Sequence, residues 1–417
     1  MKKGIALVFA VIVGLMWFSC AWAKGDQVVI KRDSYGVSHV YAESVYGIFL
    51  GYGYSIARDR LFQIDMVRYT GQGRVAEVLG SEYVDFDKKV RANYQPGSVR
   101  NQLANLPPDE RDIFEGYAAG INVWLDKIKK NPELLPKQYK DFDFNPEPWD
   151  SFDIAMVFVG TMLNRFGDFN TEPSNLQILM GLKEKHGPEK AMAIFDQLIP
   201  LEVSGAPTTI QKEDWPHHQS SFQDFNNHNW DLASLSLPDW NEPGDIHKEH
   251  AFSNVIILGK DKAEGADAIL MNGPQFGNYV PGYVYSIGLH GAGFDLVGNT
   301  PYGYPVILFG YNRDITWGST WGAGDIIDVY QLSLNPENPL QYQYNGAWKE
   351  MDKRTETILV KGGDPVSTDI FWTVHGAVIH MDPEKNMALS KRRSWDGLEL
   401  DTLIGWINTT RAKNWEE

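Results

Sequence analysis

Apolar residues recur along this chain in more than one rhythm, and the changes between them divide it. Residues 27–32 and 37–42 cluster β-formers on either side of Asp33-Ser34-Tyr35-Gly36, which predicts a hairpin. At Ser44 the period lengthens. Ile48, Phe49, Tyr52, Ile56, Leu61, Phe62, Ile64 and Met66 are spaced for a buried helical face that ends near Gly71-Gln72-Gly73. A second helix is predicted from Pro107-Pro108-Asp109-Glu110, with Ile113, Tyr117, Ile121, Trp124, Leu125 and Ile128 on one side and Lys127, Lys129 and Lys130 near its C-terminal end. After a Pro-rich bend over 132–148, residues 152–164 are apolar almost all round, as in a helix that is buried or lines a cavity. Helices over 174–185 and 188–198 follow.

From about Val203 to Phe252 the rhythm stops. This connector is rich in Pro, His, Asn, Asp and Ser and cannot bury much apolar surface. Beyond it the period is two: strands are predicted at 255–258, 268–271, 283–289, 306–311, 327–332, 355–360, 370–374 and 377–380, separated mostly by Gly, Asn or Asp. The run Val255-Ile256-Ile257-Leu258 has the length of a buried strand. A closing helix over 399–411 turns Leu403, Ile404 and Ile407 inward. Helices first and strands second imply an α+β architecture rather than a βαβ one.

Residues 1–23 stand apart. Lys2 and Lys3 precede the apolar run from Ile5 to Phe18, and Ala21-Trp22-Ala23 fits a small-x-small cleavage site, so the segment reads as a secretory signal and the protein as periplasmic or secreted. The rival is a lipoprotein acylated at Cys20, for which Trp17-Phe18-Ser19 is a poor context. No later stretch approaches about 18 uninterrupted apolar residues, so no stable membrane insertion is expected. Cys20 is the only cysteine, which excludes disulfides, a cysteine nucleophile and Cys-ligated zinc from the mature chain. The formal charge is −16, and losing the signal makes it more negative, which argues against nucleic-acid or anionic-membrane partners.

The candidate chemistry begins where the connector meets the first strand, at Ser253. A serine hydroxyl there could attack the carbonyl of Phe252. Hydrolysis of the resulting ester would free Ser253 as a new chain start, whose α-amine, with a pKa of about 7.7 to 8.0, could serve as the base. No G-x-S-x-G elbow, H-E-x-x-H, P-loop or dinucleotide fingerprint competes with it. The five connector histidines (His217, His218, His228, His247, His250) suit a solvated linker better than a metal site.

Longer strings carry a resemblance. Ser253-Asn254, Asn272-Gly273-Pro274-Gln275-Phe276-Gly277, Gly288-Leu289-His290-Gly291-Ala292-Gly293 and Trp317-Gly318-Ser319-Thr320 resemble the start of the β-chain of the penicillin G acylase family. The strings from Gly51 to Gln63 and from Val159 to Phe166 are similar to its α-chain. The resemblance implies the four-layer αββα fold of N-terminal nucleophile hydrolases, with two antiparallel sheets between helical layers. It also implies the order signal (1–23), α-chain (24–205), excised spacer (206–252) and β-chain (253–417), and a heterodimer of the two mature chains.

By the same resemblance Ser253 is the nucleophile, the backbone of Gln275 holds the substrate amide and the serine amine, and the N–H of Trp321 is an oxyanion donor, worth about 3 kcal/mol of barrier. Better-known members carry a small residue where Trp321 stands, so the space above the donor is in question. Met162, Phe166, Phe276, Phe309, Ser319 and Trp406 would line an acyl pocket suited to a phenylacetyl-like group, with Arg165 meeting the polar leaving half. Glu172, Asp325, Asp328 and the Ile327 carbonyl look like calcium ligands, one Ca2+ per αβ unit. The family's second oxyanion donor and remaining ligands would lie past Glu417, so the 417-residue form is expected to be incomplete. The expected reaction is hydrolysis of a penicillin G-like arylacetyl amide. An acyl-homoserine lactone or cephalosporin (glutaryl-type) acylase of the same superfamily is the alternative. From another class, a non-catalytic secreted calcium- or carbohydrate-binding protein finds loose support in the 14 tryptophans.

Overall fold

A computed structural model of the chain describes residues 27–163, 172–199, 252–275, 280, 282–301, 303–320, 326–414 and 416, together with the backbone of 18–21. In chain order the elements are β1 (Phe18–Ala21), β2 (Gln27–Arg32), β3 (Ser38–Tyr41), α1 (Val45–Gln72), α2 (Ala76–Leu79), α3 (Val84–Ala92), α4 (Pro96–Asn105), α5 (Pro108–Lys130), α6 (Lys137–Asp141), α7 (Ser151–Thr161), α8 (Glu172–His186) and α9 (Pro188–Leu198). After the connector come β4 (Phe252–Gly259), β5 (Ala268–Gln275), β6 (Val284–Gly291), β7 (Phe294–Pro301), β8 (Phe309–Tyr311), β9 (Thr316–Trp317), β10 (Ile327–Asn335), β11 (Asn338–Tyr344), β12 (Ala347–Glu350), β13 (Asp352–Ile358), β14 (Val366–Thr373), β15 (Gly376–Asp382), β16 (Met387–Arg393) and α10 (Glu399–Thr409).

Helix α1 forms where its caps and apolar stripe agree. The Ser44 side chain accepts a hydrogen bond from the Gly47 amide, and Gly73 closes the helix in the left-handed region at φ 66°. Its inner residues Ile48, Phe49, Tyr52 and Ile56 are buried against α5, whose Ile113, Tyr117 and Ile121 are equally buried. The two backbones touch through glycines. A Cβ on Gly53 would lie 2.0 Å from the Tyr117 carbonyl oxygen, and one on Gly120 would lie 2.1 Å from that of Leu50. Helix α7 packs on α1 in the same way, with Gly160 against Gly71, and is buried at every residue from Ile154 to Thr161.

Two seven-stranded sheets and one two-stranded ribbon follow, so the architecture is α+β as expected. The first sheet runs β1-β2-β3-β6-β7-β8-β9 and the second β12-β11-β10-β16-β15-β14-β13. The second is antiparallel throughout. The first departs from the antiparallel expectation at its centre, where β3 and β6 pair in parallel with Val40 opposite Leu289. That seam joins strands from before and after the connector, and His39 Nδ1 and His290 Nε2 meet across it at 2.9 Å. The hairpin predicted over 27–42 is the β2–β3 pair. Strand β1, inside the segment read as a signal, pairs with β2 at the sheet edge.

One expectation fails. Val255, Ile256, Ile257 and Leu258 are not buried but 40% to 66% exposed, because β4 pairs only with β5 and both faces of that ribbon stand open among the described residues. An apolar run of this length fixes a strand but says nothing about what covers it.

Candidate active site

Ser253 is the second residue of β4, and the ladder to β5 sets its neighbours. Phe252 lies opposite Gln275, Ser253 opposite Pro274, Asn254 opposite Gly273 and Val255 opposite Asn272. Directly opposed residues share a face, so the Cβ atoms of Ser253, Pro274, Val255 and Asn272 are on one side of the ribbon and that of Gln275 is on the other. Gln275 therefore adjoins the Ser253 side of the ribbon by its backbone and not by its Cβ. Ser253 itself is half-buried.

The strand end that leads to Trp321 comes to the same place. β8 and β9 pair Gly310 with Trp317, so Phe309 and Gly318 are the next residues outward, with Ser319 following. Phe309 and Trp317 are buried, and the Trp317 indole N–H donates to the Ile307 carbonyl at 2.9 Å. Gly318 lies against Asn272, whose Oδ1 would be 1.8 Å from a Cβ at Gly318. Asn272 Nδ2 donates to the Asn254 carbonyl at 3.1 Å. The Asn272 side chain thus links the strand of Ser253 to the segment of Ser319. Asn272 was missed by sequence reasoning, although it opens the string in which Gln275 was singled out.

Of the candidate acyl-pocket residues, Met162 and Trp406 are half-buried and both pack at the margin of the main core. Met162 caps α7 at its C-terminal end, and α10 carries Trp406 one residue before the buried Ile407. Arg165, Phe166, Phe276, Trp321 and Asp325 lie outside the described residues, as do the connector over 206–251 and the signal's cleavage point.

Of the candidate metal ligands, Glu172, Ile327 and Asp328 are among the described residues. Glu172 at the start of α8 accepts a hydrogen bond from the Val329 amide at 2.6 Å, which sets its carboxylate beside Ile327 and Asp328 at the start of β10. Burial and the nearby Asp328 carboxylate push the Tyr330 hydroxyl above its ordinary pKa, with Glu172 adding to the effect. Among the described residues no group of three or more His, Cys, Asp or Glu side chains is arranged to hold a metal. Glu172 and Asp328 are two carboxylates, fewer oxygens than the six to eight that calcium takes. Among the same residues no helix is long and apolar enough to cross a membrane.

The family model for penicillin amidase matches residues 27–417. The chain belongs to this family. Within it, the chain is similar to penicillin G acylase of Escherichia coli, at 42% identity over 99% of this chain and 53% of that protein. An acyl-homoserine lactone acylase of Pseudomonas putida is 26% identical over 94% of this chain and 46% of the relative. A solved structure of the thermostable penicillin G acylase of Alcaligenes faecalis matches at 49% identity and a TM-score of 0.42, covering 45% of this chain and 97% of that one. The chain spans about half the length of the curated relatives it matches.

Proposed function

We propose that the chain is the N-terminal part of a secreted or periplasmic amidase precursor that cuts itself between Phe252 and Ser253 and hydrolyses penicillin G-like arylacetyl amides. The observation that carries this reading is the hairpin register in a chain of this family, where Ser253 is the second residue of a strand whose partner ends at Gln275. In the first step Ser253 Oγ attacks the amide carbonyl while its own α-amine takes the hydroxyl proton, directly or through one water. Backbone N–H groups, with that of Trp321 foremost, hold the oxyanion. The intermediate collapses with transfer of that proton to the amide nitrogen, so the amine leaves and an acyl ester remains on Ser253. Water then attacks the ester with the α-amine again as base, and the carboxylic acid departs.

Met162, Phe309 and Trp406 offer the apolar lining an arylacetyl group needs, joined in this reading by Phe166, Phe276 and Ser319, with Arg165 at the leaving half. In this reading Glu172, Asp325, Asp328 and the Ile327 carbonyl would be some of the ligands of a calcium ion; they are hard oxygens of the kind it takes, though fewer than its six to eight, and the ion would supply a cross-link between α8 and β10 rather than a catalytic function. The mature protein in this reading is a heterodimer of the segments 24–205 and 253–417 and whatever follows. N-terminal sequencing tests the proposal: a new chain starting at Ser253, absent in Ser253→Ala, is expected, and an intact, active polypeptide would refute it.

A second reading, an acyl-homoserine lactone acylase, draws support from the similarity to the Pseudomonas putida relative. Comparing hydrolysis of phenylacetyl, long aliphatic and glutaryl amides separates it from the first, and from the glutaryl-type alternative.

A further inference from the structure

We propose that Asn272 is a positioning residue that fixes the distance between the nucleophile's strand and the segment that begins at Gly318; the proposal rests on the Ser253 reading above. Three observations meet at this side chain. Its Nδ2 donates to the carbonyl of Asn254, the residue directly after Ser253. Its Oδ1 is buried and has no hydrogen-bond partner among the described residues, although a buried acceptor left unpaired costs about 1 to 3 kcal/mol. Its amide lies flat on Gly318, where a Cβ would stand 1.8 Å from Oδ1 and 2.2 Å from Cγ, so only glycine admits it.

The geometry gives this arrangement a direction. Asn272 shares the Ser253 face of the ribbon, displaced by two pairs along the ladder. One end of the amide grips the main chain that carries the nucleophile. The other is wedged against Gly318, where the segment Gly318-Ser319-Thr320 begins. The β4–β5 ribbon has no ladder to the β8–β9 strands, so backbone pairing does not set this distance and the side chain does. A misplacement of about 1 Å between nucleophile and donors can cost on the order of 100-fold in rate.

The test uses the whole translated protein, with turnover counted per serine titrated by an irreversible serine-directed acylating reagent. Asn272→Asp keeps the size and the acceptor but replaces the donor with an oxygen facing the Asn254 carbonyl. Turnover is expected to slow 10- to 100-fold while KM stays within twofold and the melting temperature within a few degrees. Gly318→Ala, which displaces the same amide from the other side, slows turnover similarly. In Asn272→Ala the added methyl has room, so the double variant is no slower than Asn272→Ala alone. If Asn272→Asp turns over within twofold of the unsubstituted protein while Ser253→Ala is dead, the positioning role is wrong and the nucleophile stands. If folded yield falls but turnover per titrated serine does not, Asn272 is structural only. If Ser253→Ala remains active, both proposals fall.

Discussion

Glu172 and Val329 stand 157 residues apart in sequence and one hydrogen bond apart in space, with Glu172 Oε2 accepting the Val329 amide at 2.6 Å. The bond anchors the first turn of α8 to β10, across the connector, one residue along from Asp328. If calcium binds there, it should be felt as stability. At about 100 times its Kd a ligand stabilises the folded state by about 2.7 kcal/mol. Chelation should therefore lower the melting temperature by several degrees, and added calcium should restore it. Glu172→Gln keeps an acceptor for the amide but removes the charge, and should abolish the calcium response. A melting curve indifferent to chelator and calcium would remove the ion from the proposal.

The core of the helical half contains an ion pair that should not tolerate the loss of either partner. Arg68 Nη2 lies 2.6 Å from Asp65 Oδ1, with both side chains buried, and the Tyr139 hydroxyl donates to the other Asp65 oxygen at 2.8 Å. The Arg68 guanidinium also sits 4.4 Å from the centre of the Trp149 ring. Burial pushes the Asp65 carboxyl up, while Arg68 and Tyr139 pull it down. Removing the acid takes away the closest anion of a buried guanidinium, which keeps Asp153 at 3.5 Å and Glu147 at 3.9 Å, and breaking a buried pair costs about 3 to 5 kcal/mol. Asp65→Ala should lose stability toward that scale in urea unfolding. A loss below about 1 kcal/mol would mean that Asp153 and Glu147 suffice to hold Arg68.

How much of this was legible beforehand depends on which signal each element used. α1 could be read because Ser44, Gly73 and an apolar stripe all said helix, and each does in the structure what its chemistry suggested. β16 could not. It reads Met-Ala-Leu-Ser-Lys-Arg-Arg, yet it is a central strand in which Lys391 and Arg393 are buried. The Arg393 guanidinium is admitted because it donates to the Asn93 carbonyl and side chain, a partner 300 residues away that no local pattern announces. The same limit explains Asn272. Its neighbours in sequence identify the string, but the contact with Gly318 exists only once two separate pairs of strands have formed.

Asp87 gives a pH dependence whose sign can be worked out. Its carboxylate accepts the Val75 and Ala76 amides at 2.9 and 2.8 Å, yet burial outweighs those bonds and pushes its pKa up to about 6. In the unfolded chain the group titrates near 3.9, so between about pH 4 and 6 the folded state holds the extra proton. Folding stability from this group is therefore greatest below pH 4 and declines as pH rises through 6, by at most about 3 kcal/mol in all. Exposed acids act in the opposite sense. The hydrogen bond from His290, with Arg313, holds Asp295 below the usual range, so its contribution is lost only as pH falls through that lowered value. Asp87→Asn should flatten the stability profile between pH 4 and 6 in denaturant titrations. An unchanged slope would assign that dependence to another group.

The open ribbon makes a final demand on behaviour in solution. On one face Ile256 and Leu258 stand opposite Met271 and Ile269, and on the other Val255 and Ile257 stand beside Asn272 and Leu270. Apolar side chains on both faces, with two strand edges unpaired among the described residues, form a surface that other chains or small apolar molecules should occupy. The 417-residue chain should accordingly bind an environment-sensitive apolar dye strongly while its far-UV spectrum remains native, and should associate as concentration rises. Ile257→Lys with Met271→Lys places a charge on each face and should cut dye binding at least severalfold, leaving the melting of the α1–α5 core unchanged because neither substituted residue belongs to that core. Dye binding that survives the double substitution would place the exposed apolar surface elsewhere. Weak binding by the unsubstituted chain would mean that the two faces are covered in solution.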